Sequence, residues 1–160
     1  MLRTLIKSIP AMLLLITLLA SSKCAEGPGL QPEPSAPTDT SATPTAMFIA
    51  VSDGSRTVVF RLNGTPVARS LYDQLPIEVP VSDYSTNEKV FSPPAPLSTI
   101  GGIESDCPVG TMAYFAPWRN VAMYYGPASR YSGLYIVGEA TEGVEHIAAL
   151  AGTIRVTQHQ

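Results

Sequence analysis

The chain has 160 residues, 45% of them hydrophobic, and a formal net charge of −3 at pH 7, so it has room for one ordinary domain with some length left over. From Met47 onward seven Lys/Arg stand against ten Asp/Glu without a basic cluster. That excludes the positive stripe on which nucleic-acid binding depends, and two cysteines are too few for a cysteine-built zinc site.

The first segment, "MLRTLIKSIPAMLLLITLLASSKCAEG", places Arg3 and Lys7 before an apolar run from Ala11 to Ala20 and then small residues. This is the layout of a secretory signal peptide over residues 1–22. The run falls short of the roughly 20 apolar residues that span a bilayer. Ala20 and Ser22 fit the small positions before a cut between Ser22 and Lys23. The rival is a lipoprotein signal with Cys24 as the lipidated residue. Lys23 argues against it, because the residue before a lipid-bearing cysteine is normally small. An uncleaved anchor is the third reading. The expected location is extracytoplasmic, periplasmic or secreted, with membrane contact only through the signal or a lipid at Cys24. Residues 23–46 follow as a linker. "EGPGLQPEPSAPTDTSATPTA" has five prolines and one large apolar residue, Leu30. It cannot bury enough surface to offset its ordering entropy, and proline makes it a stiff spacer.

The folded domain is expected over residues 47–160. "AMFIAVSDGSRTVVFRLNG" is two apolar runs around Asp53-Gly54, a hairpin signal. Val58, Phe60 and Leu62 alternate with their neighbours as a half-buried strand does. "TPVARSLYDQLP" predicts a helix with Thr65 as cap, Pro66 at the first helical position and Val67, Leu71 and Leu75 as apolar stripe. Pro76 ends it. "IEVPVSDYS" turns Ile77, Val79 and Val81 inward, and Pro80 marks an edge or bulge. "NEKVFSPPAP" is a short strand, residues 95–109 a loop. "GTMAYFAPW" and "NVAMYYGP" are strands joined at "PWRN", and "SGLYIVGEA" is another. "TEGVEHIAAL" reads as a second helix capped by Thr141, with Val144, Ile147, Ala148 and Leu150 on one side. "GTIRVTQ" closes the chain. About eight strands with close turn signals predict a mainly β fold, a closed antiparallel eight-stranded barrel capped by two helices. Cys107 is expected to be an unpaired thiol.

This order resembles the cyclophilin barrel. Cyclophilins end in a "FGxVxEGMxVxxxI" stretch, and Gly138, Glu142, Gly143 and Val144 stand at matching spacing, with Ile147 in the helix that follows. The likeness is closer to small bacterial cyclophilin-like proteins, through "SLYDQLPIEVPVSDY", "VGTMAYFAPWRNVAMYYGPA" and "SGLYIVGEATEGVEHIAALAG". Physical roles accompany the matches. Gly138 is expected to end a strand at a tight turn, and Gly143 to let the helix approach the barrel.

The resemblance implies scaffold more than chemistry. Cyclophilins act on the X-Pro amide with an arginine, a glutamine and a histidine beside an apolar proline pocket. Here the strand taken to follow the first helix, "IEVPVSDYS", has neither arginine nor histidine. The glutamine position holds Asn120 at best, and "SGLYIV" replaces the histidine-bearing segment. His146 and His159 are remote and lack ligand spacing. No catalytic residue, metal or cofactor is assigned. The cluster with binding character is aromatic, with Tyr114, Phe115, Trp118, Tyr124, Tyr125 and Tyr131 inside eighteen residues. Phe115 and one of Tyr124 or Tyr125 suit the core. Trp118, Arg119, Tyr125 and Tyr131 form the candidate ligand rim, suited to a peptide or small apolar ligand. The expected function is a non-catalytic peptide- or small-ligand-binding module. A weak peptidyl-prolyl isomerase or folding helper is the alternative.

Overall fold

A computed structural model describes residues 46–160. The signal peptide expected at 1–22, Cys24 and the linker as far as residue 45 lie outside the described residues. The domain opens with the hairpin β1 (Phe48–Ser52) and β2 (Thr57–Leu62), followed by helix α1 (Pro66–Tyr72). Strands β3 (Ile77–Pro80), β4 (Ser82–Tyr84), β5 (Glu88–Phe91), β6 (Thr111–Phe115), β7 (Asn120–Tyr124) and β8 (Leu134–Glu142) come next. A 3₁₀ helix (Val144–Ala149) and strand β9 (Thr153–His159) complete it.

All nine strands join one antiparallel sheet in the order β3-β9-β1-β2-β8-β6-β7-β5-β4. The sequence predicts eight, with residues 77–85 as one strand. In fact β3 and β4 lie at opposite edges of the sheet, with only Val81 between them. The sheet must curl until its edges meet at that residue, which makes a nearly closed barrel. Val81 N–H donates to Gly152 O at 2.9 Å, which continues the β3–β9 pairing by one residue. Pro80, at the end of β3, has no second neighbour strand to lose a hydrogen bond to.

Two bulges on β8 drive the curl. Against β6, Met112 pairs with Gly138 and Ala113 with Ile136, so Val137 is extra. Against β2, Phe60 pairs with Ala140 and Val59 with Glu142, so Thr141 is extra. Each extra residue bends and twists the strand. Gly138 therefore sits inside β8 rather than ending it. Its missing side chain serves another need: a Cβ there would run into the Arg61 carbonyl oxygen.

The helix α1 starts as expected but ends sooner: it stops at Tyr72, so Leu75 lies beyond it, half-buried, and Pro76 is not what ends it. Thr65 Oγ1 accepts from Ala68 N–H at 3.3 Å, and Pro66 starts the first turn. Val67 and Leu71 are fully buried. The second helix differs from expectation. Thr141 is not its cap but a strand residue, and its hydroxyl donates to Val59 O at 3.3 Å. Gly143 starts the turn at φ 68°, where a Cβ would also meet Thr57 O. The helix is 3₁₀, so residues three apart eclipse. Ile147 and Leu150, three apart, accordingly go inside and Ala148 stays exposed, while Val144, at the first position of the turn, is partly exposed.

Strand alternation gives the sheet an inner and an outer face. Lys89, Phe91, Met112, Tyr114, Val121 and Met123 turn inward, and all but Lys89 join the main core. The Lys89 ammonium lies 2.8 Å from the Asp83 carboxylate. Glu88, Val90, Ala113, Phe115, Ala122 and Tyr124 turn outward. There a second, smaller core forms around Cys107, Ala113, Ala122, Tyr124 and Leu134.

Candidate functional site

The outer face of β4, β5, β7 and β6, with the start of β8, floors a cavity of about 400 Å³. That size suits a small ligand. Tyr84 comes from β4, Glu88 and Val90 from β5, Asn120, Ala122 and Tyr124 from β7, Phe115 from β6 and Leu134 from β8. Trp118, Ala128, Ser129 and Tyr131 supply the walls. The strand alternation that buries Met112, Tyr114, Val121 and Met123 puts their neighbours here.

The wall segments are held by hydrogen bonds. Cys107 and Ala128 exchange backbone bonds at 2.8 and 2.9 Å. Glu104 accepts from Gly133 N–H at 2.8 Å and from the Arg130 guanidinium at 3.3 Å. Asp106 accepts from Arg130 N–H at 2.8 Å. Asn87 O accepts from both Tyr125 and Gly126 N–H at 3.0 Å, and Asn87 Nδ2 donates to Pro127 O at 3.1 Å. The cavity is thus built on a fixed frame.

Four aromatic rings form an edge-to-face chain along it. Tyr84 and Trp118 stand 5.2 Å apart at 77°, Phe115 and Trp118 5.3 Å apart at 80°, and Phe115 and Tyr131 5.7 Å apart at 70°. Successive near-perpendicular rings make corners rather than a stack.

Glu88 is the one charged side chain in the lining. Burial pushes its carboxyl above the usual range, and the nearby Tyr124 hydroxyl partly counters this. Burial also raises the Tyr124 phenol, helped by the Glu88 charge. The Cys107 thiol, free and buried behind them, is pushed up to about 11, by burial first and then by Glu88 and Asp106. At neutral pH both are neutral, and Cys107 is a poor nucleophile. Among the described residues no three His, Cys, Asp or Glu side chains gather as a metal site. His146 is half-buried, 3.6 Å from Glu145, and His159 is exposed.

Of the rim expected from sequence, Trp118 and Tyr131 line the cavity, and Arg119 and Tyr125 do not. Tyr125 follows Tyr124 and points the opposite way. It packs against the main core, and its hydroxyl donates to Asp83 at 3.4 Å. Arg119 takes φ 55° in the β6–β7 turn and is exposed. Phe115, assigned to the core from sequence, is half-buried and lines the cavity, while Tyr124 does both. Sequence reasoning missed Tyr84 and Glu88. In "NEKVF" a charge occupies both phases of the strand, so alternation alone does not tell which faces out. The signal available was the outward set Glu88-x-Val90 set against Asn120-x-Ala122-x-Tyr124.

The sequence matches the cyclophilin-like family over residues 51–159. The fold is similar to the solution structure of the hypothetical protein AF2241 from Archaeoglobus fulgidus. The TM-score is 0.60 at 16% identity, covering 71% of this chain and 95% of that one. No curated protein matches the chain.

Proposed function

The chain belongs to the cyclophilin-like family, and from that premise we propose that its domain is a non-catalytic module that binds a peptide or small ligand in the outer cavity. The observation that carries this is the cavity itself: a preformed apolar pocket with several aromatic walls and a few polar groups, Glu88, Asn120 and the Tyr124 hydroxyl. Neither arginine nor histidine is among its lining residues, and Asn120 is its one side-chain amide. Without a fixed cation aimed at an X-Pro amide, the pocket has nothing to weaken the C–N double-bond character. It retains what holding a ligand requires. The export reading belongs to the same proposal: a signal peptide and proline-rich tether would present the domain outside the cytoplasm.

Trp118 is the sole tryptophan of the chain and stands at the cavity, so its emission reports on occupancy. Titrating the full chain with N-acetyl-phenylalanine amide is expected to give a saturable change in that emission. A response that stays linear up to the solubility limit would count against the pocket as a ligand site.

A further inference from the structure

We propose that the cavity selects an organic cation, an alkylated ammonium group carried on an apolar body. This deepens the binding reading and rests on it. Two independent features point the same way. Tyr84, Trp118, Phe115 and Tyr131 line the space as a chain of rings, each set at 70° to 80° to the next. Ring faces carry negative potential, and rings at differing angles meet an alkylammonium ion from several sides. Glu88 then supplies one carboxylate with no cationic side chain among the lining residues to neutralise it. Lys89, next in sequence, projects to the other face of the sheet and is paired with Asp83.

A partly buried carboxylate without a cation is a poor arrangement for the empty protein. Burial favours its protonated form, and a bound cation would reverse that preference. The groups facing Glu88 are the Tyr124 hydroxyl from β7 and the Cys107 thiol from the covering loop, with Asp106 beside Cys107. Tyrosine and thiol are both uncharged at neutral pH, so Glu88 is the one charged group among the lining residues, and the nearby Asp106 has the same sign. An anionic ligand would meet that carboxylate directly. A neutral apolar ligand would leave it unpaired.

The test uses choline and the neutral alcohol in which carbon replaces its nitrogen. The two share shape and differ in charge. Both are followed through Trp118 emission in the full chain at pH 8. Choline is expected to bind at least about tenfold more tightly than the alcohol. Glu88→Gln is expected to bring the two within about threefold of each other. Choline's charge is fixed, so its advantage should fade with falling pH as Glu88 takes up a proton. The variant should fold. An acid whose folded pKa is raised costs the fold stability as pH rises through its range, and glutamine removes that cost. Equal affinity for the two ligands in the unaltered protein overturns the cation proposal, and so does binding of the alcohol alone. If neither binds but N-acetyl-phenylalanine amide does, the cation proposal falls and the ligand cavity stands. If none of the three binds, both fall.

Discussion

Gly138→Ala is expected to destabilise the domain by about 3 kcal/mol or more. Gly138 lies in the middle of β8 and pairs with Leu62 on one side and Met112 on the other. A methyl group there would collide with the Arg61 carbonyl oxygen and come within 3.0 Å of Leu62 Cα. Both obstacles are backbone atoms of a strand hydrogen-bonded to neighbours on each side. Neither can give way as a flexible side chain does. Relief requires β2 and β8 to separate beside the bulges at Val137 and Thr141, and β8 is the strand that links the hairpin half of the barrel to the cavity half. A fall in Tm of more than about 10 °C follows for a domain of this size. Thermal unfolding followed by circular dichroism checks it. A midpoint within about 2 °C of the unaltered protein would mean that the two strands do not approach so closely.

Trp118→Ala is expected to separate binding from stability. The indole is 56% exposed and touches the rings of Tyr84 and Phe115 edge-on. Removing it forfeits those contacts, worth about 0.5–1.5 kcal/mol each beyond the area they bury. A fully buried tryptophan would cost about 3–5 kcal/mol on the same change. The loss of stability for the two contacts should therefore lie at about 1–3 kcal/mol, below most of the buried range. Affinity for N-acetyl-phenylalanine amide, read by calorimetry because the fluorophore is gone, should fall at least about tenfold, as expected of a central aromatic anchor. Unchanged affinity would remove Trp118 from the site. A stability loss in the buried range would make it a core residue.

Most of the barrel was legible in the sequence because its strands are written in period-two alternation and its first helix in cap, proline and stripe. Thr65, Pro66, Val67 and Leu71 each occupy the place their chemistry implies. Where the reading failed, long-range geometry overrode local pattern. Val81 looks like one more inward strand residue, and only closure of the sheet shows that the strand stops and changes edges there. Gly138 looks like a strand end, and the close approach of Arg61 is invisible from sequence. The 144–150 segment carries apolar residues at both three- and four-residue spacing, so periodicity favours an α-helix, while the Gly143 turn and packing select the 3₁₀ form.

The candidate site was legible by half for the same reason. Exposed aromatics in a proline-bounded turn flagged Trp118, and Tyr131 followed from the same cluster. Tyr84 and Glu88 reach the cavity through β4–β5 pairing, thirty or more residues upstream of Trp118 in sequence. Alternation gives one of Tyr124 and Tyr125 to each face, but sequence alone does not fix the phase, and it is Tyr124 that faces the cavity.

On the proposed reading, this cyclophilin-like domain binds in its outer cavity without speeding proline isomerisation. The most direct measurement is cis–trans exchange in succinyl-Ala-Ala-Pro-Phe-amide, followed by NMR exchange spectroscopy in the presence of stoichiometric full-length chain. The exchange is expected to keep its uncatalysed time of tens to hundreds of seconds, while peptide resonances shift through contact with the cavity. Exchange accelerated by orders of magnitude, and returned to the uncatalysed rate by Trp118→Ala, would contradict the claim and make the cavity an isomerase site.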